Sequence, residues 1–360
     1  ETYVSASVGI TLFPGDSKEA GALIMNADTA MFRAKEQGRN TYQYFTREMN
    51  ERARERLRID TALRRAMERR EFLLHYQPRV DLKSGAICGV EALLRWQHPE
   101  KGTVPPAEFI PVLEDSGLIV PIGEWVMREV CGQIQAWQKE AISVPPVAIN
   151  LSARQFQQKE LESTVRRILS ETGIDPALLE FELTESLLMK EPETAARTLR
   201  GLKESGVKIS VDDFGTGYSS LAYLRRFPID ALKIDRAFIR DVTTNPEDAA
   251  ITLAIIGLAH SLKLNVVAEG VETEGQVSFL SRHDCEEVQG FFFSEPVTAS
   301  ECGAMLRDSP RLGRHHELPE QVPAVLLLDD SEEDLTLLER ILCADGFPVR
   351  IQIDPLARRF

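Results

Sequence analysis

Eight short apolar runs constrain this chain more than any other feature. Each is long enough for one strand, and most are separated by amphipathic segments of ten or more residues. They are Phe72–Val80, Ala86–Leu94, Val147–Leu151, Leu179–Leu183, Val207–Val211, Ala231–Ile234, Val266–Ala268 and Val288–Phe292. Strand-length runs alternating with helical spacing predict parallel strands joined by helical crossovers, because a continuous apolar run suits a strand covered on both faces. All eight fall between residues 71 and 308, close to the ~250 residues of a closed (β/α)8 barrel. The first two flank Lys83-Ser84-Gly85, a turn too short for a crossover, which predicts a hairpin and one strand antiparallel to the rest. The expected class is α/β, a modified (β/α)8 barrel.

The flanks read differently. A length of 360 residues exceeds one ordinary domain. Residues 1–45 predict strand, helix, strand, the helix closed by Gly38. Residues 46–70 predict a charged, solvated linker helix with Leu57, Thr61, Leu63 and Met67 as its sparse apolar stripe. Pro310, Pro319 and Pro323 mark 309–323 as a linker. In 324–360, Val325–Leu328, Asp329-Asp330 and a helix over Glu332–Ala344 predict the start of another α/β unit. The first residue is Glu and no signal peptide precedes the domains, so a piece of a longer protein is expected.

Composition narrows the function. A net charge of −14 argues against a nucleic-acid polymer as partner. No apolar run approaches the ~20 residues of a membrane span, so a cytoplasmic location without a membrane segment is expected. Five scattered cysteines without a Cys-x-x-Cys pair fit reduced thiols and no zinc site.

The chemistry lies where the strands end. Lys208-Ile209-Ser210-Val211 stops on Asp212-Asp213, and Gly215-Thr216-Gly217 follows. Adjacent side chains of a continuing strand face opposite ways, so a paired function for the two acids predicts that the strand ends there. Carboxylates and amides recur at the other strand ends: Glu91, Asn150, Glu182 with Glu185, Lys233 with Asp235, Glu269 with Glu272, and Gln289. A barrel gathers these ends at one mouth. Two carboxylates 4 Å apart cost ~4 kcal/mol at an effective dielectric of 20, a conflict that cations resolve. Only oxygen donors are present, which selects Mg²⁺ or Mn²⁺ over Zn²⁺. Asp212 is placed to bridge two ions about 3.5–4 Å apart. Any one of these acids alone would more often be a helix cap or a surface charge; their recurrence is the signal. Gly215-Thr216-Gly217 lacks the third glycine of a dinucleotide fingerprint, and no Gly-x-Ser-x-Gly elbow occurs.

The motifs resemble a known family. Tyr76-Gln77-Pro78, Glu91-Ala92-Leu93-Leu94-Arg95-Trp96, Asn150-Leu151-Ser152 and Glu182-Leu183-Thr184-Glu185 are similar to those of EAL domains, the cyclic di-GMP phosphodiesterases. So are Asp212-Asp213-Phe214-Gly215-Thr216-Gly217, Lys233-Ile234-Asp235, Glu269-Gly270-Val271-Glu272 and Gln289-Gly290. Residues 1–45 resemble the last third of a GGDEF (diguanylate cyclase) domain, without its signature loop, and 324–360 resemble the start of a response-regulator receiver domain. The resemblance implies an EAL-type modified TIM (β/α)8 barrel with one antiparallel strand, flanked by partial domains. It implies hydrolysis of cyclic di-GMP to linear pGpG in a homodimer; the alternative is an inactive cyclic di-GMP-binding sensor.

Carried over by residue, the resemblance implies that Glu91, Asn150, Glu182 and Asp212 hold one metal ion and that Asp212, Asp213 and Glu269 hold a second. Lys233 would act on water or phosphoryl oxygen, with Glu272 and Gln289 positioning it, and Glu185 would anchor the loop after Asp213. Gln77, Leu94, Arg95, Asp235, Phe293 and Pro296 would contact the substrate. Glu295 stands where the family often has a basic residue.

Overall fold

The structure, a computed structural model, describes residues 5–36, 38–217, 221–308 and 312. Residues 1–310 form one compact unit and 311–360 a second. The linker expected over 309–323 and the receiver-like segment over 324–360 lie outside the described residues, Leu312 apart.

The described strands are β1 (Val8–Ile10), β2 (Tyr42–Tyr44), β3 (Phe72–Asp81), β4 (Ile87–His98), β5 (Gly102–Val104), β6 (Val147–Asn150), β7 (Leu179–Thr184), β8 (Lys208–Phe214), β9 (Ala231–Ile234), β10 (Asn265–Ala268) and β11 (Glu287–Val288). β1 and β2 pair in parallel beside the helix Ala20–Glu36, the strand–helix–strand order expected. The larger sheet runs β3-β11-β10-β9-β8-β7-β6-β4 and closes through β3–β4, with β5 added at the edge of β4. β3 is antiparallel to both of its neighbours, and every other pair around the barrel is parallel. A mixed barrel of eight strands thus stands where the apolar runs place it.

Two runs differ in extent. β4 continues beyond Leu94 to His98, because β3 and β5 both pair with its outer half. The last run yields only Glu287–Val288 as strand. Gly290 lies so close to Val271 that a Cβ there would sit 2.1 Å from the Val271 carbonyl oxygen and 2.3 Å from its nitrogen. The chain therefore leaves the sheet and turns, Phe293 N and Ser294 N each donating to Gly290 O at 3.2 Å. Val297 then bridges antiparallel to Tyr76, which ties the turn to β3.

Apolar packing between the barrel wall and its helices holds the framework. Phe181, Leu183, Ile209, Val211, Leu232, Ile234 and Val266 are fully buried on the strands. Phe72, Trp96, Phe109 and Trp125 pack as an aromatic cluster, each at 6.2–6.4 Å from the Phe72 ring. Trp137 stacks edge-on to Tyr76 at 5.2 Å, so these tryptophans serve the core. Short helices begin on side-chain caps beside the strand ends: Ser152 forms a capping box with Gln155, and Thr273 forms one with Gln276. Each cap contributes roughly 1 kcal/mol and sets the direction of the chain just after a strand.

The helix Arg47–Ala66 is less solvated than its charge implies. Ile59, Leu63 and Ala66 are buried, and Arg56 pairs with Asp115 at the end of the helix Pro106–Ser116. One face is packed and the other is charged.

Because Gly290 has no room for a side chain against backbone atoms, Gly290→Ala should cost about 1–3 kcal/mol of stability. Urea unfolding measures this, and an unchanged midpoint at equal slope would contradict the close approach.

Candidate active site

Side chains of a strand alternate, so each barrel strand sends every second residue inward. Gln77 on β3 faces Glu91 on β4 in the antiparallel register, and Arg79 faces Gly89. The inward positions therefore form two layers. Nearer the C-terminal ends of the parallel strands lie Gln77, Glu91, Glu182, Asp212 and Gln289. Beneath them lie Arg79, Gly89, Glu180, Ser210 and Glu287.

Lys233, from the middle of β9, is the hub of the upper layer. It is 1% exposed, yet its Nζ lies 2.6 Å from Glu182 Oε2, 2.5 Å from Glu269 Oε1, 3.5 Å from Asp212 Oδ1 and 3.8 Å from Glu91 Oε2. Burial alone would lower its pKa; the four carboxylates, Glu182 foremost, hold it well above the ordinary lysine value. Four carboxylates exceed one ammonium, and burial adds to the imbalance at Glu182 and Glu269. Burial drives Glu182 well above the usual carboxylate range despite Lys233. Burial also pushes Glu269 up to about 8, with Lys233 opposing and Asp212 and Glu91 adding to the rise. Glu91 is depressed instead: burial opposes this, but Lys233, Gln289 and Asn150 together stabilise its charged form.

Two amides complete the layer. Asn150 Nδ2 donates to Glu91 Oε1 at 2.6 Å, and Gln289 Nε2 donates to Glu91 Oε2 at 2.5 Å and to Gln77 Oε1 at 3.0 Å. Glu182 Oε1 and Gln289 Oε1 are buried without a hydrogen-bond partner. Among the described residues, no three carboxylates, thiolates or imidazoles are already arranged around a shared point as a metal site. Lys233 occupies the middle of the ring in their place.

The strand end expected at the two adjacent acids is not found. β8 does not stop at Asp212 but runs on to Phe214, with an irregularity between Val211 and Phe214 in its pairing to β9. Asp213 takes a left-handed backbone, φ 53°, at that bulge. A bulge re-aims the side chains around it, so neighbours need not alternate. Asp212 Oδ1 accepts from Asp213 N at 2.9 Å and faces Lys233. Asp213 faces Asp235; burial first, then Asp212 and Asp235, raise it to about 6. Asp235 in turn caps the helix Arg236–Arg240 by accepting from Ala237 N at 2.7 Å. Glu185 is buried at the end of β7, and its Oε2 accepts from Gly215 N at 2.9 Å. Gly215 has φ +99°, a conformation that glycine adopts at little cost.

Other sequence-derived residues spread around the mouth. Arg95 lies four residues past Glu91 on the same face of β4; it is half-buried and donates to Leu94 O at 3.0 Å. Leu94 alternates to the opposite face. Gln77 is fully engaged, its Nε2 donating to Ser294 O at 3.0 Å while its Oε1 accepts from Gln289, so it tethers the turn that carries Phe293 and Pro296. Both of these are half-buried, and Glu295 between them is exposed. Glu272 departs from expectation: it is exposed and is not among the four carboxylates at Lys233. Gly270 at φ +66° turns the chain after Glu269, and Glu272 N is drawn to Gln276 Oε1 at 2.7 Å, so its side chain faces solvent. The sequence motifs do not single out the lower layer, although Glu180 and Glu182 in Leu-Glu-Phe-Glu-Leu show its period of two.

Comparison with known proteins agrees with this geometry. The EAL domain family matches residues 60–296, and the diguanylate cyclase GGDEF domain family matches residues 1–41. The chain is 47% identical over 301 residues to the bifunctional diguanylate cyclase/cyclic di-GMP phosphodiesterase MucR of Pseudomonas aeruginosa, covering 84% of this chain and 44% of that protein. It is 43% identical over 299 residues to the cyclic di-GMP phosphodiesterase PdeR of Escherichia coli, covering 83% of this chain and 45% of PdeR. The chain thus spans under half the length of these relatives. Among solved structures, the MucR phosphodiesterase in complex with c-di-GMP superposes with a TM-score of 0.66 at 46% identity, covering 68% of this chain and 99% of that one. The chain belongs to the EAL domain family and carries a fragment of a GGDEF domain at its N-terminus.

Proposed function

We propose that the barrel hydrolyses cyclic di-GMP to linear pGpG with the help of divalent cations. The observation that carries this reading is the ring of Glu91, Glu182, Asp212 and Glu269 around one ammonium at the barrel mouth. The donor set fits Mg²⁺ or Mn²⁺: every group is an oxygen donor, the carboxylates outnumber the cation among them, and Glu182 Oε1 is buried without a partner. Glu91, Asn150, Glu182 and Asp212 would hold one ion, and Asp212, Asp213 and Glu269 a second. Asn150 already donates its Nδ2 to Glu91, which leaves its Oδ1 for a cation. Bound divalent cations supply Lewis-acid polarisation and a water that deprotonates near neutral pH.

The chain's own residues do the rest. Lys233 stabilises charge on the phosphoryl oxygens of the attacked phosphodiester, an interaction strengthened by its burial. Gln289 orients Glu91 from the side opposite Asn150, and both bonds resist rotation of that carboxylate. Arg95, on the face of β4 shared with Glu91, meets phosphate or guanine at the rim, and Phe293 with Pro296 offers an apolar surface to a base. Water adds across one of the two phosphodiester bonds, and the departing ribose oxygen takes a proton, so the ring opens to a 5′-phosphorylated dinucleotide. The retention of every expected oxygen donor supports an enzyme over a binding-only sensor.

We also place the barrel in a cytoplasmic homodimer. No helix among the described residues is long and apolar enough to cross a membrane. Ile251 and Leu253 are 39% and 37% exposed on the helix Pro246–Ser261, and Ile255 on that helix packs beside Gly215 in the loop after Asp213.

Incubation with cyclic di-GMP and Mg²⁺ or Mn²⁺ should yield pGpG, seen by anion-exchange chromatography; binding without turnover would support the sensor reading. Glu91→Ala should lower turnover at least ~100-fold, since it removes an oxygen that two amides orient. Ca²⁺, with longer and looser coordination, should permit substrate binding but support little hydrolysis; rapid turnover in Ca²⁺ alone would contradict the assignment. The pH dependence of metal-free stability has a definite sign. Glu269 titrates at about 8 in the folded chain against 4.5 in the unfolded one. The folded state holds the extra proton in that window, so stability falls as pH rises through it. Thermal unfolding in EDTA should show Tm declining from pH 5.5 to 8, with Mg²⁺ raising Tm more at pH 8 than at pH 6. A flat profile would refute the assignment of Glu269.

A further inference from the structure

Beneath the carboxylate ring lies a charged group that neither the motifs nor the proposed chemistry uses. Arg79, on β3, is 3% exposed in the barrel interior. Its guanidinium forms a bidentate pair with Glu180 on β7, Nη1 at 3.0 Å from Oε1 and Nη2 at 2.7 Å from Oε2. It also stands 3.6 Å from Glu182 Oε1 and, through Nε, 3.6 Å from Glu287 Oε2 on β11. Room for it comes from Gly89 on β4, where a Cβ would lie 2.5 Å from Arg79 Nε. The Glu182 carboxylate is thus suspended between two cations. Lys233 takes Oε2 at 2.6 Å, while Arg79 approaches Oε1, an oxygen with no hydrogen-bond donor.

We propose that Arg79 is a positioning residue for the site: braced on Glu180, its guanidinium holds Glu182 Oε1 from below and so fixes how that carboxylate is presented to a divalent cation. The proposal rests on the metal-dependent reading given above. Three features distinguish this role from a plain structural ion pair. The pair is rigid, because two parallel hydrogen bonds lock the plane of the guanidinium. Its direction is set, because β3 and β7 lie on different parts of the barrel wall and Arg79 reaches across the interior. Its Nη1, while bonded to Glu180 Oε1, also stands 3.6 Å from Glu182 Oε1, on the ring member whose other oxygen lies 2.6 Å from Lys233. A carboxylate braced from one side can offer its other oxygen without turning, and such support of a ligand typically changes metal affinity by 10–100-fold.

The test uses the whole chain and Mn²⁺ as probe, by isothermal titration calorimetry, with Tm in EDTA recorded for each protein. Arg79→Lys keeps the charge but cannot pair with Glu180 through two parallel bonds and reach Glu182 at once. It should raise the Mn²⁺ dissociation constant several-fold while Tm changes little. Arg79→Met combined with Glu180→Met replaces the pair by apolar groups of similar size, an exchange that buried ion pairs often tolerate. Folded double variant should bind Mn²⁺ about tenfold more weakly or worse. A purely structural pair would lower Tm and leave the affinity of the folded protein unchanged; affinity within twofold of the unsubstituted chain in Arg79→Lys overturns the proposal. That outcome leaves the metal-dependent reading standing. Failure of the unsubstituted chain to bind Mn²⁺ at all overturns both.

Discussion

A single buried ammonium held by four carboxylates governs this molecule. Lys233 reaches into the barrel from β9, and Glu91 on β4, Glu182 on β7, Asp212 on β8 and Glu269 just after β10 close around it. No local interaction draws these residues together; the strand register does. Moving β7 by one residue would turn Glu182 outward and Phe181 into the cavity. The apolar wall of Phe181, Ile209, Leu232 and Val266 makes such a slip costly, so the packing that stabilises the barrel also fixes where the charges meet. Removing one member of a buried charged group is expensive because the others lose compensation.

The charge imbalance has a second side. Glu91 is held ionised by two amides and Lys233, whereas burial raises Glu182 and Glu269. Environments that push like groups apart in this way are concentrated at functional sites. The backbone shows related adjustments at the same rim. Asp213 and Gly215 both have positive φ, and Gly215 is held through its N–H by Glu185 at 2.9 Å. The turn at the end of β8 is thus held by a buried carboxylate at the end of β7.

Much of this was legible in the sequence. The eight apolar runs place the eight barrel strands, because burial on both faces leaves an unambiguous pattern. The ring members were legible because each breaks or ends an apolar run: Glu91 and Glu182 interrupt Ala86–Leu94 and Leu179–Leu183, while Asp212 follows Val211 and Glu269 follows Ala268. What escaped depended on distant pairings. The bulge at Asp213 arises in the register between β8 and β9, which no local pattern encodes. Glu272 shares a motif with Glu269, yet Gly270 and the Gln276 cap send it outward. Arg79 reads as an ordinary charge in a strand until Glu180, 101 residues later, is seen across the interior.

The reversed direction of β3 has its own consequence for how the chain is threaded. In a barrel of parallel strands the polypeptide enters at the floor, away from the chemistry. Here Phe72 begins β3 at the rim, where Glu71 accepts from Trp96 Nε1 at 3.0 Å and Gln97 N bonds Glu71 O at 2.8 Å. The helix Arg47–Ala66 therefore feeds the barrel from its upper end, and a tug or twist on that helix arrives first at the hairpin that carries Gln77 and Glu91. Upstream segments are moored to the doorway of the cavity rather than to its foundations.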